Sequence, residues 1–296
     1  MIIQKILVPL DGSDSSEIAL PLAEAIVEKS SASIFLITVA GLESQDLEPL
    51  YRSYLEQVKE KLQAHLRSHR ASPATKVEIH VLKGNPAEEI LGYADEINAD
   101  IIVMAGRGST GHGPWLLGNI ATRVTVASTK PVLVVKNRTE NAALEQDKLF
   151  KKILAPLDGS TAGEAAMPVT GELASVTGSE MILFHAVQPA ASWIGAGIGG
   201  TYASIEVPED VKAATTNYLE GLRKQLLKKG LNVKVVVQDG SPAELIINYA
   251  KTEAVDVIAI STHGRTGISR WVFGSVTEKI LRYGSTSVLV VPANKI

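Results

Sequence analysis

The sequence has no cysteine, little net charge and no apolar run long enough to span a membrane. Without cysteine among its 296 residues, it cannot use disulfides, thiol catalysis or cysteine-ligated metals. A net charge of −3 provides no bulk attraction to nucleic acid or acidic membranes. The N-terminal segment has no basic stretch followed by an apolar region, as a secretory leader would have. We therefore expect a cytoplasmic protein that binds neither nucleic acid nor membrane.

Several common motifs of catalysis and phosphate binding are also missing. The sequence has no Gly-x-x-x-x-Gly-Lys loop, no Gly-x-Ser-x-Gly turn and no His-Glu-x-x-His pair. Gly106-Arg-Gly-Ser-Thr-Gly111 matches the dinucleotide fingerprint, but no acidic residue ends the next strand. The second copy also has Thr262 in place of Gly106. We therefore predict no nicotinamide site and name no catalytic residue.

What the sequence does contain is a duplication. The segment Ile6–Ser13 returns as Ile153–Ser160, Gly84-Asn-Pro-Ala-Glu88 as Gly240-Ser-Pro-Ala-Glu244, and Gly108-Ser-Thr-Gly111 as Gly264-Arg-Thr-Gly267. This period fits whole domains, so we predict domains at 1–137 and 150–296, joined by a polar linker at 138–149. The second copy is about nine residues longer, and its insertion around 195–200 is interpreted as a loop, either a plain connection or a lid.

Each half alternates short apolar runs with helical patterns, which is typical of a doubly wound α/β fold. We predict two parallel five-stranded sheets of strand order 3-2-1-4-5 with helices on both faces. The third strand alternates polar and apolar residues, as an edge strand does. The fifth strands are apolar at an edge, so they are expected to pair and form an internal pseudo-dimer. The predicted helices of the first half are Asp14–Lys29, Glu48–Arg70, Pro86–Asn98 and Trp115–Ser128.

The strand order creates a crevice where residues distant in sequence converge. In the second half, Asp158 follows the first strand, and the loop that begins at Ser261 follows the fourth. That loop leads to Gly274-Ser275 at a helix start, where free N–H groups and the helix dipole favour an anion. Asp158 can accept a hydrogen bond from a ribose hydroxyl or an exocyclic amine. An adenine nucleotide has both groups, phosphates for the helix start and a hydroxyl or amine donor for Asp158.

In these residues and their spacing, the chain resembles a tandem universal stress protein. The family pattern is Gly, two residues, Gly, nine residues, Gly and then Ser or Thr, together with an Asp after the first strand. The second half departs from it only at Ser261. The first half departs at Ala105 and Asn119, which predicts a weaker site. The resemblance further implies adenine contacts with the main chain near Val39 and Ala186, Mg²⁺ or Mn²⁺ on the phosphates, and dimerisation through the fifth strand.

The predicted nucleotide site has a stronger and a weaker version. In the second half it comprises Pro156, Leu157, Asp158, Ala186, Val187, Ser261, Thr262, His263, Gly264, Arg265, Gly267, Gly274, Ser275 and Val276. In the first half it comprises Pro9, Asp11, Val39, Ala105, Arg107, Gly108, Gly118 and Asn119.

Structural alternatives stay open for each kind of residue. The aspartates can simply cap helices, and the glycines can serve only turns and packing. The arginines can be solvated loop charges, and His263 can be a passive loop residue. His65 and His69 lie four apart on one helix face, as a metal-binding pair would. Because the sequence shows neither a carboxylate-rich neighbourhood nor a second-copy equivalent, we interpret them as a wet helix face and predict no metal site in the protein itself.

The sequence thus favours an ATP-binding stress-response or regulatory protein that acts as a nucleotide-dependent conformational sensor towards an unknown protein partner. One rival is a weak metal-dependent ATPase that uses His263 or Arg265. Another is a ligand-free interaction scaffold. Whether two chains also form a homodimer stays open.

Overall fold

The structure, a computed structural model, describes most of the chain. The described residues are 3–41, 47–69, 72, 75–108, 117–136, 150–188, 207–264 and 273–293. The predicted linker at 138–149, the insertion around 195–200 and Trp115 lie outside them.

Both halves have the same series of elements. The first half contains β1 (Lys5–Pro9), α1 (Asp14–Glu17), α2 (Leu20–Glu28), β2 (Ser33–Ala40), α3 (Glu48–Ser68), β3 (Val77–Lys83), α4 (Pro86–Glu96), β4 (Ile101–Ala105), α5 (Asn119–Ala127) and β5 (Val132–Val135). The second half contains β6 (Lys152–Pro156), α6 (Thr161–Glu164), α7 (Met167–Thr177), β7 (Glu180–Val187), α8 (Glu209–Leu227), β8 (Asn232–Asp239), α9 (Pro242–Thr252), β9 (Val257–Ser261), α10 (Ser275–Tyr283) and β10 (Ser287–Val291). No helix in the described part of the chain is both long and apolar enough to cross a membrane.

The ten strands of the described residues form one continuous sheet of order β3-β2-β1-β4-β5-β10-β9-β6-β7-β8. Within each half the strands are parallel, in the predicted order 3-2-1-4-5. The halves meet where β10 pairs antiparallel with β5, with Leu289 opposite Leu133. The expected pairing of the fifth strands is therefore present, and it merges the two predicted sheets into one. The alternating strands β3 and β8 lie at the two outer edges.

The core has two layers because the central strands bury both faces. In β1, Ile6 and Val8 belong to one apolar cluster, and Leu7 belongs to the other. The first cluster includes Ile26 of α2, and the second includes Ile90 of α4. Each cluster also contains residues of the second half. Helices thus cover both faces, and the core continues through both halves.

Two helices differ from the sequence prediction. The single helix expected over Asp14–Lys29 is divided into α1 and α2, and Pro21 lies in the first turn of α2. Proline is tolerated there because its missing N–H is not needed, whereas inside a longer helix it would break the ladder. The helix expected from Trp115 is not yet formed at Leu117, and α5 begins at Asn119 with Gly118 as its N-cap.

Two lysines of the first half cap helices of the second half. Lys29 Nζ donates to Thr177 O at the end of α7 over 2.9 Å. Lys136, directly after β5, is only 7% exposed. Its Nζ donates to Ile280 O (3.1 Å), Leu281 O (2.7 Å) and Gly284 O (2.7 Å) at the end of α10. Lys136 therefore fastens the second half to the first beside the β5–β10 pair.

Candidate functional site

A cavity of about 360 Å³ opens at the carboxyl ends of β1 and β4 in the first half. It is the kind of switch-point crevice in which doubly wound folds bind ligands, and its volume is typical of small-molecule pockets. All eight residues that the sequence predicted for this half line it: Pro9, Asp11, Val39, Ala105, Arg107, Gly108, Gly118 and Asn119.

The cavity has an apolar end and a polar end. Val39 lies near the end of β2 and Ile90 lies in α4, so the β2 side of the cavity is apolar. Arg107 and the first turn of α5, which begins at Asn119, form the side next to β4. Two strand spacings, about 10 Å, separate β2 from β4, and Asp11 follows the strand between them. The cavity can therefore accept a flat apolar group at one end and an anion at the other.

Sequence reasoning missed several residues of the cavity wall. They include Leu10, Ser16, Pro86, Ile90, Met104, Gly106, Leu117, Ile120 and Ala121. A signal for Pro86 was present, because the segment Gly84–Glu88 returns in the second half as Gly240–Glu244. This repeated segment starts α4 and α9, so its repetition marked a wall of the crevice.

The repeated Asp-Gly-Ser segment forms a turn that orients the aspartate. Asp158 Oδ1 accepts from Ser160 N (3.0 Å) and Ser160 Oγ (2.6 Å), and Asp11 Oδ1 makes the matching bonds to Ser13 at 3.1 and 2.6 Å. The glycine between them needs positive φ, 78° at Gly159. The helices are capped by Ser13 and Ser160, not by the aspartates. Capping alone therefore does not explain Asp11 and Asp158.

The other aspartate oxygen approaches the loop after the fourth strand. A Cβ placed on Gly264 would lie 2.5 Å from Asp158 Oδ2, and one on Gly108 would overlap Asp11 Oδ2. A larger residue at either position would have to displace the aspartate carboxylate, which packs against the loop backbone. For Gly108 and Gly264 the packing alternative is therefore sufficient, and a ligand is not needed to account for them.

This contact predicts a coupling between Gly264 and Asp158. We expect Gly264→Ala to lower the free energy of unfolding by about 2 kcal/mol, because the new methyl group must displace a carboxylate held by Ser160. In an Asp158→Ala background the same change is expected to cost less than about 0.5 kcal/mol. Urea denaturation of the four proteins of this cycle measures the difference. Equal costs in both backgrounds would show that the loop moves away and that the contact is not fixed.

Gly118 and Gly274 behave differently from the loop glycines. Gly274 is the N-cap of α10 with φ −60° and ψ 148°, a conformation open to any residue. A Cβ there would meet Thr262 O at 3.5 Å, and one at Gly118 would meet Gly106 O at 3.4 Å, which are ordinary contacts. Neither the turn nor packing against the described residues requires glycine at these two positions.

The second-half loop is held by its own side chains. Ser261 Oγ donates to His263 O (2.5 Å), and Thr277 Oγ1 of α10 donates to Ser261 O (3.0 Å). Thr262 Oγ1 accepts from Ala293 N (3.0 Å) and lies 3.1 Å from His263 Nδ1. These bonds join the end of β9 to the first turn of α10.

The remaining predicted residues of the second half that the structure describes lie at or next to strand ends and at the start of α10. Pro156 ends β6, Ala186 and Val187 end β7, and Ser275 and Val276 open α10. Leu157 N donates to Phe184 O (2.8 Å). Arg265 and Gly267 lie outside the described residues.

Comparisons with known proteins all point to one protein family. The family model described as "Universal stress protein family" matches residues 3–136 and 149–292. Universal stress protein MJ0577 of Methanocaldococcus jannaschii is 31% identical over 154 residues, covering 48% of this chain and 95% of that protein.

Among solved structures, a universal stress protein from Archaeoglobus fulgidus superposes with a TM-score of 0.69 at 19% identity, covering 98% of this chain and 97% of that chain. A universal stress protein solved in complex with cAMP is 24% identical, with a TM-score of 0.35, over 46% of this chain and 98% of that one. The Archaeoglobus structure shares the two-domain fold. The two matches of the family model cover nearly the whole chain, and the chain therefore belongs to the universal stress protein family, with two domains of that family in tandem.

Proposed function

We propose that this protein binds an adenine nucleotide in the crevice of its halves, more tightly in the second half, and acts as a nucleotide-dependent sensor. The observation that carries this proposal is the first-half cavity, whose eight predicted residues come from four separate segments of the chain. Val39 and Ile90 offer an apolar surface for the base, and Asp11 lies where a ribose hydroxyl would donate. The first turn of α5 and Arg107 are suited to phosphates.

The second half is proposed as the tighter site because its motif is better kept. Ser275 occupies the first helical position, where the first half has Asn119. Its hydroxyl can donate to a phosphate without the bulk of an amide.

A divalent ion such as Mg²⁺ or Mn²⁺ would arrive with the nucleotide. Mg²⁺ is usually bound through one or two carboxylates and the substrate phosphates. Asp11 and Asp158 supply one carboxylate per crevice, and Oδ1 of each already accepts two bonds from a serine. The residues therefore fit an ion carried mainly by the phosphates, which it would neutralise.

The sensing step is proposed to run along α10. Its first turn would meet the phosphates of the proposed nucleotide, and its last turn is held by Lys136 of the first half. A phosphate that bonds the N–H groups of the first turn would stabilise this helix, and hydrogen bonds to charged groups contribute about 1.5–3 kcal/mol each. A change at the second-half crevice would thereby alter the junction between the halves, where a protein partner can detect it. A cytoplasmic location stays a prediction from the sequence.

Calorimetric titration of ATP with Mg²⁺ tests the proposal. We expect binding to the wild type, with at least a tenfold loss of affinity in Asp158→Ala and a smaller loss in Asp11→Ala, since each removes one acceptor for the ribose or the base. The unequal losses would identify the second half as the tighter site. A wild type that takes up no nucleotide at millimolar concentration would instead favour the ligand-free scaffold.

The same proteins distinguish a sensor from an ATPase. A sensor is expected to show slowed hydrogen exchange in α10 and β10 on nucleotide binding, with no phosphate release above the blank. Metal-dependent phosphate release that disappears in His263→Ala, while binding persists, would overturn the sensor and support the enzyme.

A further inference from the structure

A group of histidine and glutamate side chains lies on the α2–α3 face of the first half, away from the crevice. His65 and His69 are one turn apart on α3 and just beyond it, with ring centroids 4.2 Å apart and nearly parallel planes. Glu28, at the end of α2, offers a carboxylate to the same point. One ligand atom from each of Glu28, His65 and His69 lies within 4.8 Å of the other two.

Two of these ligand atoms are buried without a hydrogen-bond partner among the described residues. They are Glu28 Oε1 and His65 Nε2. A second carboxylate oxygen, Glu24 Oε2, lies 3.8 Å from His65 Nε2, and Glu24 is itself only 8% exposed. Buried polar atoms are costly when unsatisfied. A cation between them would satisfy both Glu28 Oε1 and His65 Nε2.

The third proposed ligand, His69, has one ring nitrogen next to a carbonyl oxygen. His69 Nδ1 lies 3.1 Å from His65 O. Ser68 Oγ also lies 3.0 Å from this nitrogen. In the tautomer in which Nδ1 donates to the carbonyl, Nε2 has the lone pair for a ligand. A hydrogen bond from the second ring nitrogen to a carbonyl is the usual way in which metal-binding histidines are oriented.

We propose that Glu28, His65 and His69 bind one divalent transition-metal ion, with Glu24 as the fourth ligand, and that this ion joins α2 to α3. Two imidazoles and carboxylates form a ligand set suited to Zn²⁺, and two carboxylates balance its charge. Tetrahedral bonds of about 2.0–2.1 Å place neighbouring ligand atoms about 3.3 Å apart. To close on the ion, the Glu28, His65 and His69 ligand atoms must approach from their present separations of up to 4.8 Å. The two imidazole rings must also tilt out of their parallel arrangement, because a metal ion lies in the plane of each ring that it binds. The adjacent cation, Lys29, is engaged by Thr177 O instead.

The second half provides an internal comparison. At the repeat spacing of 147 residues that relates Asp11 to Asp158, the positions of Glu24 and Glu28 are Gly171 and Ser175. Leu231, which follows α8, packs within 3.5 Å of the Cβ position of Gly171. The ligand set is therefore confined to the first half, and one ion per chain is expected.

Zn²⁺ alone, added to the chelator-treated full chain without nucleotide or affinity tag, tests the site. Equilibrium dialysis with metal analysis is expected to give one Zn²⁺ per chain at micromolar free metal. Glu28→Gln and His69→Gln should each weaken this binding at least tenfold, because each removes one ligand while keeping side-chain volume. Zn²⁺ should also raise the melting temperature of the wild type by several degrees, and that of Glu28→Gln by much less.

His80→Gln is the matched control. His80 Nε2 lies 3.9 Å from Glu78 Oε2, so it is a histidine beside a carboxylate without a second histidine, and its loss should change Zn²⁺ affinity less than twofold. Substitution with Co²⁺ should add a visible absorption band to the wild type that His65→Gln abolishes. No uptake at micromolar Zn²⁺, or uptake that is equal in the ligand variants and the control, would overturn the proposal.

Discussion

Replacing Lys136 by methionine is expected to lower the free energy of unfolding by about 3 kcal/mol at pH 8. The amino group of Lys136 lies within hydrogen-bond distance of three carbonyls at the end of α10 in a buried position. Methionine fills the same space but leaves Leu281 O and Gly284 O without this donor. A buried carbonyl that loses its donor costs about 1–3 kcal/mol. Because Lys136 and α10 belong to different halves, the loss weakens their junction.

The stability difference between wild type and Lys136→Met should also depend on pH. Burial lowers the pKa of Lys136 from 10.5 to about 7. Between these values the unfolded chain binds more protons at this residue than the folded chain, so stability rises with pH through that window. From pH 7 to 9 the difference should grow in favour of wild type by about 1 kcal/mol per pH unit. Urea denaturation of both proteins at each pH measures it.

Lys152→Met is the control for this prediction. Lys152 Nζ donates to Glu253 O (2.9 Å) at the end of α9, but its side chain is 33% exposed. Its loss should cost about 1 kcal/mol, since water can replace the donor. If the Lys136→Met difference stays constant from pH 7 to 9, the three carbonyls stabilise the ammonium enough to cancel the effect of burial.

The strand order and the crevice follow from local patterns in this sequence. Apolar runs predicted five strands in each half, as the structure has them, because strands buried on both faces admit few polar side chains. The pairing of β5 with β10 follows from the apolar character of Val132–Val135 at an edge. Eight of the residues that line the first-half cavity were predicted, because the motifs and the family resemblance indicated which strand ends carry them.

The features that were not predicted depend on contacts between elements. Lys136 belongs to no motif, and its partners lie 144 to 148 residues away. Glu24 and Glu28 are four residues apart on α2, and His65 and His69 are four residues apart at the end of α3. Only the packing of the two helices brings the two pairs together. Periodicity within a helix shows which side chains lie on the same face, but it does not show which other helix that face packs against.

The glycines at the helix starts lead to a prediction in which stability and affinity change in opposite directions. Gly274→Ser places a hydroxyl at the N-cap of α10, where serine accepts from the N–H of the second or third helical residue. We expect a stability gain of a few tenths of a kcal/mol, because the backbone conformation suits serine and the Cβ meets only ordinary contacts. The same hydroxyl occupies the N–H groups proposed to bind phosphate, so ATP affinity should fall by about 10- to 100-fold.

Thermal melting and calorimetric titration of one protein preparation measure both effects. Gly274→Ala is the control, because it adds the Cβ without the competing oxygen, and it should lose less affinity than the serine variant. Gly118→Ser repeats the change at the N-cap of α5, where the weaker site predicts a smaller loss of total binding. Unchanged affinity in a stabilised Gly274→Ser would show that the phosphates do not use this helix start. A destabilised variant would mean that glycine serves the fold there, and the case for a nucleotide would then depend on Asp158 alone.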